Sequence, residues 1–266
     1  MKIKFLFFVL FILIAAGVFY YLEAFQELNR EFSASAISLA ALISVGAGIY
    51  ATRVYGLKSY NGKAFLLITI GLFFWFIGEL AWLYYQLVLN IDYPFPSIAD
   101  LFYILAYPLF LAGIIIKMKK SEINSTQKNK NLVLSLAMIV FVASFYLIAK
   151  ATFEAGLDFW ETFFNFAYNI GDSILLTLSF FIAFLVMQYK EGKLFRPWLI
   201  FIVALLAMFL GDALFFLYPF EYEQGDNWYY VLSEMSFVLS YLLFSASLFC
   251  IGSLTKDVRE SFLKST

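Results

Sequence analysis

The chain contains no histidine, and in 266 residues it has a single cysteine, Cys250. Without imidazole it cannot run Ser-His-Asp or Cys-His catalysis, and it cannot hold zinc or haem through histidine. A lone thiol forms no internal disulfide and leaves the redox compartment open. Glycine-rich phosphate loops and paired CxxC motifs are missing as well. Charge is scarce: 14% of residues are charged, against about 25% in soluble domains. The net charge of −1 offers nothing to attract nucleic acid. What fills the space is 63% hydrophobic residues, 21% aromatic residues and a mean hydropathy of +0.85. A water-soluble fold could not hide that much apolar surface, so the expectation is an all-α integral membrane protein.

A helix needs about 20 apolar residues to cross the hydrocarbon. Eight stretches qualify, running approximately over 5–22, 35–55, 64–89, 98–117, 131–151, 162–188, 197–218 and 228–254. The first follows Lys2 and Lys4 as a signal peptide would. Bulky Phe19, Tyr20, Tyr21 and Leu22 stand where a small-residue cleavage site belongs, so it is read as a retained helix. Lys and Arg concentrate on cytoplasmic loops. In this eight-span arrangement sixteen of them fall on one side, and only Arg30 and Lys150 on the other. Both ends are therefore expected in the cytoplasm of a multi-pass cell-membrane protein, beneath an acidic exterior. On that topology the Asn124-Ser125-Thr126 sequon lies inside and escapes glycosylation.

The polar stretch 118–130 divides the chain into membrane halves 1–117 and 131–254, with 255–266 as a cytoplasmic tail. The halves read as copies. Gly78-Glu79 matches Gly211-Asp212 at an offset of 133, as Tyr85 matches Tyr218. After a one-residue gap Asp100 matches Glu234 and Tyr107 matches Tyr241. Each copy has an even number of crossings, so the two four-helix repeats are expected parallel, unlike the inverted repeats of many ion-coupled transporters. Ala36, Ala40, Ser44 and Gly48 form a small-residue stripe suited to close helix packing. At the same offset stand polar Asn169, Ser173 and Thr177.

Five carboxyl groups fall inside these spans, at Glu79, Asp100, Asp172, Asp212 and Glu234, with no Lys or Arg in the interior of any span. In low dielectric each must take a proton, accept hydrogen bonds or hold a cation. At 1.5 Å per residue all five lie between mid-membrane and the outer surface. Trp75, Glu79, Trp82 and Gln86 share one helix face, and so do Asn165, Asn169 and Asp172. Tyr103 and Tyr107 follow Asp100 at helical spacing, and Tyr241 follows Glu234. Acids beside aromatic faces suit a cationic ligand through charge and cation–π contact. They equally suit a closed hydrogen-bond network that only locks helices together. For Asp100 the bland alternative is strongest, because Ser97 stands three residues before it as in a capping box.

The run Pro94-Phe95-Pro96-Ser97-Ile98-Ala99-Asp100-Leu101-Phe102-Tyr103, followed by Tyr107-Pro108, resembles a segment in the multi-helix N-terminal membrane sensory regions of bacterial diguanylate cyclases and related signalling proteins. Tyr168-Asn169-Ile170-Gly171-Asp172, Arg196-Pro197-Trp198 and Gly211-Asp212 are similar to later parts of such regions. The resemblance implies a membrane-embedded sensory module. No cyclase, phosphodiesterase or kinase domain accompanies it in these 266 residues, so it implies output through a cytoplasmic or membrane signalling partner.

These readings converge on a non-enzymatic sensory or ligand-binding module in the lipid bilayer. Its expected feature is an outward-facing cavity built from Glu79, Asp172, Asp212, Glu234, Trp75, Trp82, Tyr107, Tyr241, Asn169 and Asp100, which binds a cation or titrates protons. Two alternatives stay open: a proton- or sodium-coupled secondary transporter, and an accessory or scaffold subunit of a membrane complex. Carboxyls alone can serve as acid and base, yet nothing in the sequence requires an enzyme. It specifies neither metal nor cofactor.

Overall fold

The computed structural model describes residues 29–120, 127–156, 158–187, 195–225 and 227–265. The first expected span, 5–22, and the sequon at 124–126 lie outside the described residues. Eight helices are described: α1 (Asn29–Tyr55), α2 (Tyr60–Leu87), α3 (Ile98–Lys120), α4 (Gln127–Ala155), α5 (Phe159–Met187), α6 (Phe195–Leu217), α7 (Pro219–Gln224) and α8 (Trp228–Ser265). Among the described residues there is no β-strand. Five helices, α1, α2, α3, α6 and α8, are long and apolar enough to cross a membrane. Apolar runs of about 20 residues have the length of a spanning helix, whose backbone hydrogen bonds are satisfied within the segment itself.

Local sequence sets the helix ends. Between α1 and α2, Gly56 takes φ +78, a conformation open to glycine at little cost. Ser59 then caps α2 by accepting from the Gly62 amide at 2.8 Å. Gly62 is obligatory there, because a Cβ would lie 1.9 Å from the Gly56 carbonyl oxygen. At the opposite end, α7 begins with Pro219 and stops at Gly225, whose φ is +80.

The packing order closes a ring. Helix α1 packs on α2, α2 on α3, α3 on α5, α5 on α6, α6 on α8, and α8 back on α1. Helix α4 stands outside the ring against α5, with a smaller contact to α6. Small residues permit the close approaches. Gly48, the last member of the expected stripe, faces α2, where a Cβ would come within 2.5 Å of Thr69 Oγ1. Ala40 and Ser44 are buried with it. On α5 the corresponding positions carry polar side chains and take the outlying helix instead. Ser144 of α4 hydrogen-bonds Ser173 at 3.1 Å, and its carbonyl accepts from Asn169 Nδ2 at 3.3 Å.

The α2·α3 and α6·α8 contacts repeat each other rung by rung, at offsets of 133 for the first helix and 134 for the second. Gly78 makes room for the Tyr103 ring, as Gly211 does for Phe237; an added Cβ would lie 2.5 Å from either ring. Lower down, Gly71 meets Ala106 and Phe110, while Ala204 accepts from Ser240 Oγ at 2.8 Å. At the next rung Gly113 lies against the Ala64 carbonyl, while Ser247 Oγ donates to the Pro197 carbonyl at 2.9 Å.

Candidate functional site

The ring encloses a cavity of about 70 Å³ in the half of the bundle where α2 and α6 end and α1, α3, α5 and α8 begin. Its wall carries four of the five expected acids, Glu79, Asp100, Asp212 and Glu234, and four of the expected aromatics, Trp75, Trp82, Tyr107 and Tyr241. Among the described residues no Lys or Arg lines it. Most of the remaining wall is aromatic, including Tyr103, Tyr168 and Phe237. That volume accepts several water-sized groups, since one water needs roughly 10–15 Å³ counted this way.

Three of these acids meet a hydrogen-bond donor from another helix or loop. Glu79 accepts from Tyr241 Oη at 2.7 Å, and Tyr103 is a second phenol partner. Asp100 accepts from Tyr168 Oη at 2.8 Å. It also closes the capping box expected at the start of α3, taking the Ser97 amide at 2.6 Å. The capping and cavity readings of Asp100 therefore describe two oxygens of one carboxyl. Glu234, 4% exposed, accepts from Ser33 of α1 and Tyr222 of α7.

Asp172 does not line the cavity. It accepts from Tyr107 Oη at 2.6 Å, and the Asp212 carboxyl is its electrostatic neighbour. Asn169 points the other way, to Ser144 on α4, and Asn165 donates to Thr152 at 3.4 Å. The expected Asn165–Asn169–Asp172 face is thus divided: both amides serve the α4 contact and the acid serves the ring. Gln86, on the Trp75–Glu79–Trp82 face, donates to the Asp92 carbonyl at 3.1 Å instead of reaching the cavity.

Aromatic side chains close the site toward the acidic connections. Tyr93 and Phe95, between α2 and α3, pack on Phe215 at 5.4 and 5.5 Å between ring centroids, and Phe215 meets Tyr222 at 4.6 Å. Arg30 pins this cover from α1. It donates to the Glu223 carbonyl, pairs with Asp92 at 3.4 Å and lies 6.0 Å over the Tyr230 ring. The phenols of Tyr93 and Tyr222 lie outside the spanning helices, and burial pushes both above their ordinary range. Glu161 adds to the rise at Tyr93, and Glu234 at Tyr222. Both therefore stay neutral into alkaline conditions, and Tyr222 is the one seen donating, to Glu234.

Sequence reasoning missed the donors Ser33, Tyr168 and Tyr222. Tyr222 lies in a connection whose visible signal was its acidic residues, and no periodicity links Ser33 to Glu234. Twelve of the seventeen lining residues, all on α2, α3, α6 and α8, form six pairs at offsets of 133 and 134, among them Trp75 with Met208 and Trp82 with Phe215. Trp75 stands edge-on to both Tyr107 and Tyr241 at 6.2 Å, with interplanar angles of 81° and 80°. No protein-family model, curated protein or solved structure matches the chain.

Proposed function

We propose that the chain is a membrane-embedded sensory or ligand-binding module, without enzymatic activity of its own, whose central cavity accepts a small organic cation or protons. The observation that carries this reading is the wall itself: four carboxyls and a near-continuous set of aromatic faces around one space, with no basic side chain among its described lining residues. An ammonium group entering there would meet carboxylate charge and ring faces together, in a medium where both interactions exceed their strength in water. Among the described residues no three acids gather closely enough to hold a metal ion. Dispersed acids with aromatic faces between them favour an organic ammonium over a metal, which requires several oxygens at 2.0–2.6 Å.

The fuller arrangement belongs to the same proposal. It comprises eight spans, both ends in the cytoplasm of a cell-membrane protein, a cavity opening outward, and two parallel repeats related by a two-fold axis that exchanges Trp75 with Met208. The repeated rungs and the paired cavity wall support the duplication. The resemblance to sensory regions of diguanylate cyclase-type proteins supports a signalling role, with a cytoplasmic or membrane partner as output.

The test is thermal unfolding of the purified protein against a series of methylated ammonium ions, alkali and divalent metal chlorides at constant ionic strength, with tryptophan fluorescence recorded in parallel. An ion present at 100 times its Kd adds about 2.7 kcal/mol. At least one ammonium ion should raise the unfolding temperature and change the Trp75 and Trp82 emission, and Glu79→Gln should remove both effects. If no cation acts and Glu79→Gln behaves as wild type, the acids only lock the bundle and the scaffold reading replaces this one. Flux of the same ion into proteoliposomes would instead assign a transporter.

A further inference from the structure

The four carboxyls of the cavity wall are not alike. Asp100 and Glu234 have both oxygens occupied. Tyr168 donates to Asp100 Oδ1 at 2.8 Å, and the Ser97 amide to Oδ2 at 2.6 Å. Tyr222 donates to Glu234 Oε1 and Ser33 to Oε2. These two acids are 2% and 4% exposed. Glu79 and Asp212, by contrast, are half-buried and line the cavity. Glu79 accepts from Tyr241 at Oε1, with the Tyr103 phenol beside it. No hydroxyl or amide among the described residues donates to Asp212. The division follows the matched positions: Asp100 and Glu234 form one pair, offset by 134, and Glu79 and Asp212 the other, offset by 133.

The order of the helices sets the open pair face to face. In the ring, α2 and α6 stand opposite each other, with α3 and α5 between them on one side and α8 and α1 on the other. Trp75, Glu79 and Trp82 line the cavity from α2, and Met208, Asp212 and Phe215 do so from α6 at the same spacing. An ionised carboxyl has only acceptor oxygens. Two of them across one space call for a guest that brings both positive charge and hydrogen-bond donors. A quaternary ammonium brings charge alone, whereas a primary or secondary ammonium brings both. Volume sets the size of that guest. The cavity, at about 70 Å³, is close to half of the roughly 150 Å³ that holds benzene, so it takes about three or four non-hydrogen atoms.

We propose that the ligand of this cavity is a compact primary or secondary ammonium ion whose N–H groups bridge Glu79 on α2 and Asp212 on α6. Asp100 and Glu234 are positioning residues: the first ties the start of α3 to α5, and the second ties α7 to α1. The short alkyl part of the ion meets the aromatic wall. This inference rests on the reading of the cavity as a cation site, and it names the ligand class and the two residues that touch the ligand.

Fluorescence titration of the whole protein with isopropylammonium and trimethylammonium chlorides at constant ionic strength tests it. The two ions share a formula and a branched shape, but the first presents a full ammonium head and the second a single N–H. Isopropylammonium should bind about tenfold more tightly or better. Cyclohexylammonium, with the same head on a larger body, should bind about tenfold more weakly than isopropylammonium or worse. Glu79→Gln and Asp212→Asn should each raise the isopropylammonium Kd about tenfold or more. Asp100→Asn and Glu234→Gln should lower the unfolding temperature of the ligand-free protein and cost less affinity than either. Equal binding of the two isomers, or a greater loss of affinity in Asp100→Asn or Glu234→Gln than in Asp212→Asn, overturns this inference while the cavity still counts as a cation site. Silence toward every cation overturns both together. Should a variant fail to fold, the comparison of the two isomers on wild type decides alone.

Discussion

Replacing Gly78 with alanine puts one methyl group into a space that does not exist. The new Cβ would lie 2.5 Å from Tyr103 Cε1 and 2.8 Å from Cδ1, well inside contact distance. Tyr103 cannot move freely, because it lines the cavity and partners Glu79. Overpacking of this kind costs about 1–3 kcal/mol, whereas alanine gains about 1 kcal/mol over glycine inside a helix. The two effects have opposite signs, so the single variant is ambiguous. Gly46 supplies the control: it lies on the exposed face of α1 with nothing within 4 Å of its built Cβ, so Gly46→Ala carries only the helix gain. The difference between the two variants should be about 1–3 kcal/mol against Gly78→Ala, read as the helical signal lost on titration with denaturing detergent. Gly211→Ala, set 2.5 Å from Phe237, should fall by a similar amount if the halves are built alike. Equal stability of Gly78→Ala and Gly46→Ala would refute the close approach of α2 to α3, and with it the position of Tyr103 in the cavity wall.

Three further outcomes rest on particular contacts. Gly225→Ala should destabilise by more than about 1 kcal/mol, because Gly225 takes φ +80 and a Cβ would lie 2.4 Å from Arg30 Nε; Arg30→Gln in the same background should recover part of the loss, measured by thermal unfolding. Tyr222→Phe should lower stability at neutral pH by about 1–3 kcal/mol through the donor lost to Glu234. The same variant should flatten the alkaline loss, since a buried phenol retained by the fold and released on unfolding makes stability fall as pH rises above about 10. Ser144→Ala should weaken the α4·α5 seam by about 0.6–1.7 kcal/mol and leave any ammonium response unchanged, because Ser144 and its partners Asn169 and Ser173 stand outside the cavity.

The helices were legible because composition leaves no alternative: apolar runs of membrane length must become helices, and their order is the order of the runs. The closure of six helices into a ring was not legible. It depends on which small residue faces which ring, and a pattern such as Ala36, Ala40, Ser44 and Gly48 announces a close contact without naming its partner. The structure gives Gly48 to Thr69 and hands the polar counterparts at Asn169 and Ser173 to an outlying helix. An identical offset in sequence thus ends in two unlike environments, because one additional hydroxyl or amide changes which neighbour can satisfy it inside lipid.

The acids show the same limit more sharply. That Glu79, Asp100, Asp212 and Glu234 face one space could be anticipated from depth and helix face, since both are set by spacing at 1.5 Å and 100° per residue. Their partners could not, because a phenol reaches across the bundle from a helix whose rotation the sequence does not fix. Asp172 bears the consequence: spacing aligned it with Asn165 and Asn169, yet the structure gives its Oδ1 to Tyr107. A residue three positions after Asn169 is rotated from it by about 60° around the helix. That angle is enough for one side chain to serve the outlying helix while the other enters the ring. Chemistry in this bundle is therefore decided by rotations smaller than a sequence pattern resolves. Asp212, beside a carboxyl, and Glu79, beside two phenols, differ in their neighbours although an offset of 133 matches their positions in sequence.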